Sequence, residues 1–577
     1  MPTATKIFQQ LKNKSQNYCQ KVYKKISQLN NEQRYWIILI LIVILGASVR
    51  FYQLAELPMG YNFDEAGMGY DAWCLANWRV SRNMMHFPVY LLNAGGGQSV
   101  LYAYLTAGLI SIFGMSKFIL RTTAVIFGLI TIIFGSLITK EALGKKAGLL
   151  AGLIIAISPY FIMMSRLGFD CNLFLGASTL ALYLTIMAIK KQKYRFWIFA
   201  GFAWSVTLYS YILSYIAIPI FIILLVIYLL TIKKINWRQI FVFGISILVL
   251  AWPLILLIIV NYFDLLPMYS RFFYIPKLTI WRGSELASPQ ISSWFNLIKN
   301  LPHQLFTLTN GDVEGFIPNH GSFYWFAPSL IIIGFFLTFW QGLKNWGQKR
   351  FSITTIIILW TIGQLVLAFS IDSVIHYRLN AIYFALVYFL VFFLFWLAKY
   401  IKKWWHKQGL TIYWTAIIML YFCFFSWFCH DYFVLTPQNG FPIAHFGDTF
   451  EQPLAALDNW LKNQGYTLTN QQIYLDEKYI FYYLTALIPP QETGLVNDQM
   501  REVNYQNFHF EWLPDNNSPS YFAPAEIKNS DIFIIQNKND KYIQKLTSKD
   551  FIPIYQNARY TVYLNEVGFQ TEEKLID

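Results

Sequence analysis

Long apolar runs that lack charged residues are the feature that most constrains this chain. From residue 122 onward the cores of these runs contain no Asp, Glu, Lys, Arg or His. About 20 apolar residues in a helix match the roughly 30 Å hydrocarbon core of a bilayer. A helix also satisfies its own backbone hydrogen bonds, which lipid cannot do. The sequence therefore predicts a polytopic α-helical membrane protein. The runs lie at about 35–50, 99–115, 122–139, 147–164, 172–189, 196–232, 240–260, 323–341, 351–371, 379–398 and 410–429.

The net charge of +14 is unevenly distributed along the chain. Residues 1–431 carry a net charge of +22, whereas residues 432–577 carry −8. Only 13% of the residues are charged, about half the fraction typical of soluble proteins. We therefore expect a basic membrane body followed by an acidic polar domain, and no nucleic-acid partner.

The five cysteines form no zinc-binding pattern. The sequence leaves open whether Cys74 and Cys171 form a disulfide.

Compact basic clusters between the apolar runs indicate the topology. Cytoplasmic loops of membrane proteins carry an excess of Lys and Arg, so we place these clusters and the basic N-terminus, 1–34, in the cytoplasm. All five clusters would face outward if 99–115 crossed the membrane, so we predict that this run does not span. This gives eleven spans within 35–430 and outer loops at 51–121 and 262–322. The clusters are Lys140/Lys145/Lys146, Lys190/Lys191/Lys193/Arg195, Lys233/Lys234/Arg238, Lys344/Lys349/Arg350 and Lys399/Lys402/Lys403/Lys407.

The C-terminal segment, 431–577, reads as an extracytoplasmic α+β domain. Short apolar or alternating stretches predict strands at Gln472–Leu475 and Asp531–Gln536. Tyr479–Leu487 has a helical pattern that stops before two prolines. Ala558–Leu564 alternates in the manner of an edge strand.

An adjacent pair of acids follows the first span. The outer loop contains the segment LPMGYNFDEAGMGYDA, in which the pair is Asp64 and Glu65. In this setting the chain resembles the GT-C superfamily of membrane glycosyltransferases, and within it the protein O-mannosyltransferase and aminoarabinose transferase branch with its bacterial relatives. Further segments match in order over roughly 35–430. They are Ser116–Arg121, Ser158–Pro159, Ser165–Asp170, Tyr209–Tyr211 and His376–Asn380.

The resemblance implies transfer of a sugar from a polyprenyl-phosphate-linked donor to an acceptor at the outer face of the plasma membrane. It makes Asp64 the catalytic carboxylate. A phosphate leaving group is stable as an anion, whereas the acceptor hydroxyl needs a general base such as a carboxylate. Glu65 would orient Asp64 or the acceptor, and Asp170 would be a second acid or a metal ligand. Attack opposite the phosphate would invert the anomeric centre.

Basic side chains at the same level are expected to hold the donor phosphate. Arg378 is the first choice for this role, and His376 and Arg166 are second choices. Each site residue also has a simpler interpretation: Asp170 as the N-cap of a helix at 172–189, and Arg378 as an interfacial anchor. Arg121 is expected to be structural and to bond to the first loop. Weaker candidates for substrate contact are His86, Gly95–Gln98, Asp312 and Glu314.

No required cofactor is indicated by the sequence. It contains no DxD or HxxE ligand spacing and no Gly-rich phosphate loop, although a divalent metal remains open. The acceptor is a glycan, a lipid or a protein. Two alternatives to an enzyme are a lipid or polysaccharide transporter, which needs a polar path through the spans, and a membrane scaffold whose outer acids do not converge.

Overall fold

The computed structural model describes most of the membrane body and part of the C-terminal domain. Four of the weaker site candidates lie outside the described residues, as do residues 1–29: they are Gly95, Asp312, Glu314 and His376. The described residues are 30–93, 96–278, 291–307, 317, 319–370, 377–439, 451–466, 471–476, 484–493, 504–510, 527–537, 539–557 and 560–565.

The described chain is mainly helical as far as residue 439. Its helices are α1 (Asn31–Phe51), α2 (Phe63–Trp78), α3 (Leu101–Phe113), α4 (Lys117–Leu143), α5 (Lys145–Ile157), α6 (Pro159–Met164), α7 (Asn172–Lys191), α8 (Tyr194–Leu208), α9 (Ser214–Thr231), α10 (Trp237–Tyr262), α11 (Ile291–Phe306), α12 (Ala327–Gly347), α13 (Ile353–Ser370), α14 (Tyr383–His430) and α15 (Thr436–Asn439). A 3₁₀ turn, Asn380–Ile382, precedes α14, and a π-helical turn, Asp431–Leu435, follows it.

Eight helical segments within the described residues are long and apolar enough to cross a membrane. The chain is thus a multi-pass membrane protein. The number eleven is not confirmed by this count and stays a prediction. Three of the predicted spans correspond to shorter or interrupted helices: the pair α5 and α6, the helix α8, and a second half of α14. The run predicted not to span forms α3, whose 13 residues extend only about 20 Å.

An interruption divides α14 where the last basic cluster lies. Trp405 and His406 leave helical conformation, and His406 has a φ of 51°. Four lysines surround this point (Lys399, Lys402, Lys403 and Lys407). The break therefore coincides with the connection predicted between the last two apolar runs.

Small residues let the helices of the membrane body pack closely. A Cβ on Gly334 of α12 would collide with the carbonyl oxygen of Phe389 in α14. Such contact between backbones is a common way for membrane helices to associate. Large aromatic side chains fill the remaining space, and the rings of Trp204 and Trp360 lie 5.6 Å apart at full burial.

The loop between α1 and α4, which the sequence predicts to be an outer loop, contains α2, a small ribbon and α3. After α2 the chain turns at Arg79, which has a left-handed φ of 61°, and reaches a two-stranded antiparallel ribbon. Its strands are β1 (Tyr90–Leu91) and β2 (Gln98–Ser99). A second small ribbon in the other outer loop contains β3 (Met268–Tyr269) and β4 (Tyr274–Ile275).

The C-terminal domain contains a mixed six-stranded sheet in the order β6-β7-β5-β8-β10-β9. β5 pairs in parallel with β7 and β8, and the other pairs are antiparallel. This confirms the predicted α+β character. The elements are α16 (Glu451–Asn463), β5 (Ile473–Leu475), β6 (Asn504–Tyr505), β7 (Phe508–Phe510), β8 (Ile532–Gln536), α17 (Asp540–Thr547), β9 (Ile552–Gln556) and β10 (Tyr560–Leu564).

Two details differ from the sequence predictions. The strand predicted at an edge, β10, is internal and wholly buried, because β9 covers it. β9 contains Pro553, which suits an edge because proline has no N–H to donate. Cys74 and Cys171 are buried free thiols, so the disulfide left open between them does not form. The predicted helix Tyr479–Leu487 lies largely outside the described residues.

Candidate active site

The N-terminus of α2 presents Asp64 to solvent. Asn62 caps the helix by accepting a hydrogen bond of 2.9 Å from the Asp64 N–H. A carboxylate in the first helical turn is favoured by the helix dipole. The side chain of Asn93 donates to Asp64 Oδ1 at 2.7 Å, and that of Gln98 donates to the Asp64 carbonyl at 3.2 Å. Asp64 is therefore exposed but held in place.

Asp170 precedes α7 and faces the same ribbon. Its carboxylate accepts hydrogen bonds from the backbone N–H of Ser99 at 2.8 Å and of Cys171 at 2.7 Å. The helix begins at Asn172 with Cys171 at its N-cap position, and no side chain caps it. Asp170 is therefore not the N-cap of α7, since its carboxylate bonds to β2 and to the Cys171 N–H but to no N–H within the helix.

A cavity of about 90 Å³ brings three of the predicted site residues together. Asp64 comes from α2, Asp170 from the turn before α7, and Arg378 from the turn before α14. Arg378 is half-buried. Two carboxylates and a guanidinium can thus share one polar site. Its other lining residues are Gly97, Gln98, Phe169, Cys171, Tyr211 and Tyr377.

Glu65 does not line this cavity and is fully buried. Arg121 of α4 binds it in a two-pronged contact, Nε to Oε1 at 2.8 Å and Nη2 to Oε2 at 2.9 Å. Glu65 Oε1 also accepts from the Gly168 N–H at 2.9 Å. A Cβ on Gly168 would lie 2.8 Å from the Glu65 Cγ, so the approach needs a glycine. These contacts confirm the structural role expected of Arg121 and join Glu65 to α4.

Arg166 is likewise buried and bound to backbone. Its guanidinium lies 5.2 Å from the ring of Phe433, and burial lowers its pKa. Five carbonyl oxygens accept from its two terminal nitrogens, so the side chain ties the end of α1 to the segment after α6. The carbonyls are those of Val49, Arg50, Tyr52, Gln53 and Leu57. We therefore do not carry Arg166 into the proposed donor site.

Sequence reasoning missed several residues of this cavity or named them only weakly. Gly97 and Gln98 belong to a stretch named as a weaker candidate, and both line the cavity. Exposed His86 is not among the lining residues. Asn93 carries no motif, and only the ribbon's fold brings it to Asp64. Within the described ranges no three His, Cys, Asp or Glu side chains group as metal ligands.

The chain resembles known proteins in sequence over one region and in its fold. Residues 98–258 match the family model described as dolichyl-phosphate-mannose-protein mannosyltransferase. No curated protein sequence matches the chain. The crystal structure of ArnT from Cupriavidus metallidurans in the apo state aligns with a TM-score of 0.50 at 14% identity, covering 93% of this chain and 98% of ArnT.

Two further structures align less well. One is the same ArnT bound to undecaprenyl phosphate, with a TM-score of 0.48 and 14% identity over 92% of this chain and 98% of ArnT. The other is the archaeal oligosaccharyltransferase AglB from Archaeoglobus fulgidus, in complex with an inhibitory peptide and a dolichol-phosphate. It has a TM-score of 0.44 and 14% identity over 65% of this chain and 52% of AglB. The chain thus shares its fold with apo ArnT and, over residues 98–258, resembles the protein O-mannosyltransferase family, so that it is similar to the protein O-mannosyltransferase and ArnT branch of membrane glycosyltransferases.

Proposed function

We propose that this chain transfers a sugar from a polyprenyl-phosphate carrier to an acceptor at the outer face of the plasma membrane. The observation that carries the proposal is the convergence of Asp64, Asp170 and Arg378 on one cavity. The description of the matching family, a dolichyl-phosphate-mannose-protein mannosyltransferase, supports a lipid-phosphate-linked sugar as the donor. The same convergence argues against a scaffold, which would have no reason to gather these groups.

The proposed reaction is a single displacement. The acceptor hydroxyl oxygen attacks the anomeric carbon, the bond from that carbon to the phosphate oxygen breaks, and Asp64 accepts the hydroxyl proton. The products are an inverted glycoside and a polyprenyl phosphate. A positioned general base typically contributes about 10²- to 10⁴-fold to the rate. Asp64 suits this role because it is exposed at the cavity and its carboxylate is oriented by Asn93.

Arg378 is the proposed partner of the donor phosphate. A guanidinium can form two parallel hydrogen bonds to a phosphate, and its charge offsets the negative charge that grows on the leaving group. Arg378 lies in the turn that leads into the apolar helix α14, so a phosphate bound there would leave its lipid chain at the level of the membrane.

Asp170 and Gln98 complete the proposed sugar site. Asp170 is held by two backbone N–H groups, those of Ser99 and Cys171. Gln98 is 5% exposed, and its Oε1 has no hydrogen-bond partner among the described residues. A buried amide oxygen without a donor is costly, so a sugar hydroxyl in the cavity would be a favourable partner for it.

We further propose an inside N-terminus and an outside C-terminal domain, on the basis of the basic clusters. The acceptor can be a glycan, a lipid or a protein. The proposed reaction uses no metal, and metal dependence stays an open prediction.

The direct test replaces Asp64 and compares transfer with a matched acid. Asp64→Asn should abolish release of undecaprenyl phosphate from undecaprenyl phosphate mannose in membranes, while the protein still inserts. Glu56→Gln is the control, because Glu56 is an exposed acid of the same loop that does not line the cavity. Full activity of Asp64→Asn would remove Asp64 from the mechanism. Mass spectrometry of envelope glycans in cells with and without an active copy would identify the sugar.

A further inference from the structure

We propose that Asn93 is a positioning residue for Asp64 and that the buried pair Asp71 and Arg82 holds Asn93 in the required orientation. The inference rests on the proposed role of Asp64 as general base. It concerns residues that lie behind the cavity and were not expected from any motif.

Asn93 links Asp64 to a buried guanidinium. Its Nδ2 donates to Asp64 Oδ1 at 2.7 Å, and its Oδ1 accepts from Arg82 Nη2 at 2.8 Å. The side chain is 5% exposed. Arginine can only donate, so Arg82 fixes which end of the Asn93 amide faces it. The donating end must then face Asp64.

Arg82 is itself fixed by α2 and by the chain before Asn93. Its backbone N–H donates to Asp71 Oδ1 at 2.8 Å, and its Nε lies 3.4 Å from Asp71 Oδ2. Its Nη2 also donates to the Leu92 carbonyl at 2.7 Å. Both side chains are at most 2% exposed. A charged pair this deep is stable only with such partners, so its geometry is tightly constrained.

The backbone between α2 and β1 makes this arrangement possible. After Arg79 the chain forms a tight reversal in which the Ser81 N–H donates to the Met85 carbonyl at 2.9 Å. Met84 adopts a left-handed φ of 61° within it. The reversal brings Arg82 back to Asp71, which lies in the middle of α2 and seven residues after Asp64.

A glycine on α2 lets the network lie directly against the helix. A Cβ on Gly67 would be 2.7 Å from Arg82 Nη1 and 3.3 Å from Asn93 Oδ1. Gly67 is one turn from Asp64, on the same helix. Asp64 is thus oriented by its own helix and by a polar network packed on that helix.

The Asn93 N–H stabilises the charged form of the Asp64 carboxylate and fixes its direction. A hydrogen bond donated to a carboxylate favours its ionised form. A loss of orientation at a catalytic group costs rate, and a misplacement of about 1 Å can cost about 100-fold. Loss of Asn93 should therefore move the acidic limb of the pH–rate profile to higher pH and lower kcat.

The test uses Asn93→Ala and Asn93→Asp in the full-length protein. The first removes the donor. The second keeps an oxygen for Arg82 but places a second carboxylate against Asp64. With undecaprenyl phosphate mannose as donor, kcat of Asn93→Ala should fall by about 10- to 100-fold with little change in KM. The acidic limb should move to higher pH in both variants, and further in Asn93→Asp. Asn77→Ala is the matched control, because Asn77 lies on α2, is exposed and donates its side-chain hydrogen bond to the Trp73 carbonyl of the same helix.

Binding of undecaprenyl phosphate by the purified variants separates positioning from collapse of the cavity. Binding should be unchanged, because the proposed phosphate contact is Arg378. Loss of binding together with kcat would overturn a specific positioning role. An unchanged kcat and pH profile in Asn93→Ala, with Asp64→Asn inactive, would overturn the role of Asn93 alone. Activity in Asp64→Asn would overturn both the proposed base and its positioning.

Discussion

Replacement of Arg121 by methionine should strongly destabilise the protein. Arg121 is fully buried and donates five hydrogen bonds, two to Glu65 and three to backbone carbonyls of the loop that precedes α2. Removal of one partner of a buried ion pair costs about 3–5 kcal/mol, because the other charge is left unpaired. We expect Arg121→Met to lose free energy of unfolding in this range.

Replacement of both charged residues, Glu65 and Arg121, gives the sharper test. In Glu65→Met combined with Arg121→Met neither charge of this pair remains, although the three carbonyls and the Gly168 N–H lose their partners. Each such unsatisfied group costs about 1–3 kcal/mol. The double variant should therefore lose less free energy of unfolding than the sum of the two single losses, with a coupling of about 2 kcal/mol.

Unfolding by sodium dodecyl sulfate in mixed micelles, followed by tryptophan fluorescence, measures these differences. Glu32→Gln is a suitable control, because Glu32 pairs with Lys140 and Lys145 at the surface and is 54% exposed. It should have no measurable effect. Additive losses in the double variant would refute the idea that Glu65 and Arg121 act as one unit.

Three further results are expected. Tyr70→Phe removes the 2.6 Å hydrogen bond to the Ile488 carbonyl and should cost about 1 kcal/mol, seen as faster limited proteolysis of the C-terminal domain with insertion unchanged. Gln98→Leu removes a buried acceptor from the cavity and should raise KM for undecaprenyl phosphate mannose by about tenfold; an unchanged KM would place the sugar elsewhere. Burial lowers the pKa of His509, so the unfolded domain takes up protons first and stability should fall as pH drops below about 6.5. Hydrogen exchange of the C-terminal sheet should show this fall, and His509→Gln should remove it.

Hydropathy and charge were sufficient to predict the class of fold. Long apolar runs fix where helices cross a bilayer, and the short run at 99–115 was separated from them by the placement of lysines alone. The helix α3 at that position is indeed short. The number of spans was harder, because the break at Trp405 and His406 and the division between α5 and α6 are features of backbone geometry. The composition of the sequence does not reveal these interruptions of the helices.

The site was predictable where a motif marked it and unpredictable where tertiary packing made it. Asp64, Asp170 and Arg378 were named from the sequence, and all three line the cavity. Arg166 was named with them because basic residues near an outer loop suit a phosphate. Arg166 instead binds backbone carbonyls and does not line the cavity. These carbonyls belong to a segment more than 100 residues earlier in the chain. Asn93 was missed for the converse reason, since an isolated asparagine acquires a role only when a ribbon returns it to α2.

Helix α2 shows how three distant parts of the chain determine the position of the proposed base, Asp64. Ala66, Tyr70 and Cys74 recur every four residues and share an apolar cluster with the C-terminal sheet. Met68, Ala72 and Leu75 share another with α3 and α4. Gly67 and Asp71 meet Arg82 on a third side. A helix of 16 residues enclosed on three sides has little freedom to rotate. The sequence alone favoured a stabilising or acceptor-guiding cap as the role of the C-terminal domain. Because its sheet packs against the helix that carries Asp64, we expect any shift of the sheet to act on the orientation of this carboxylate.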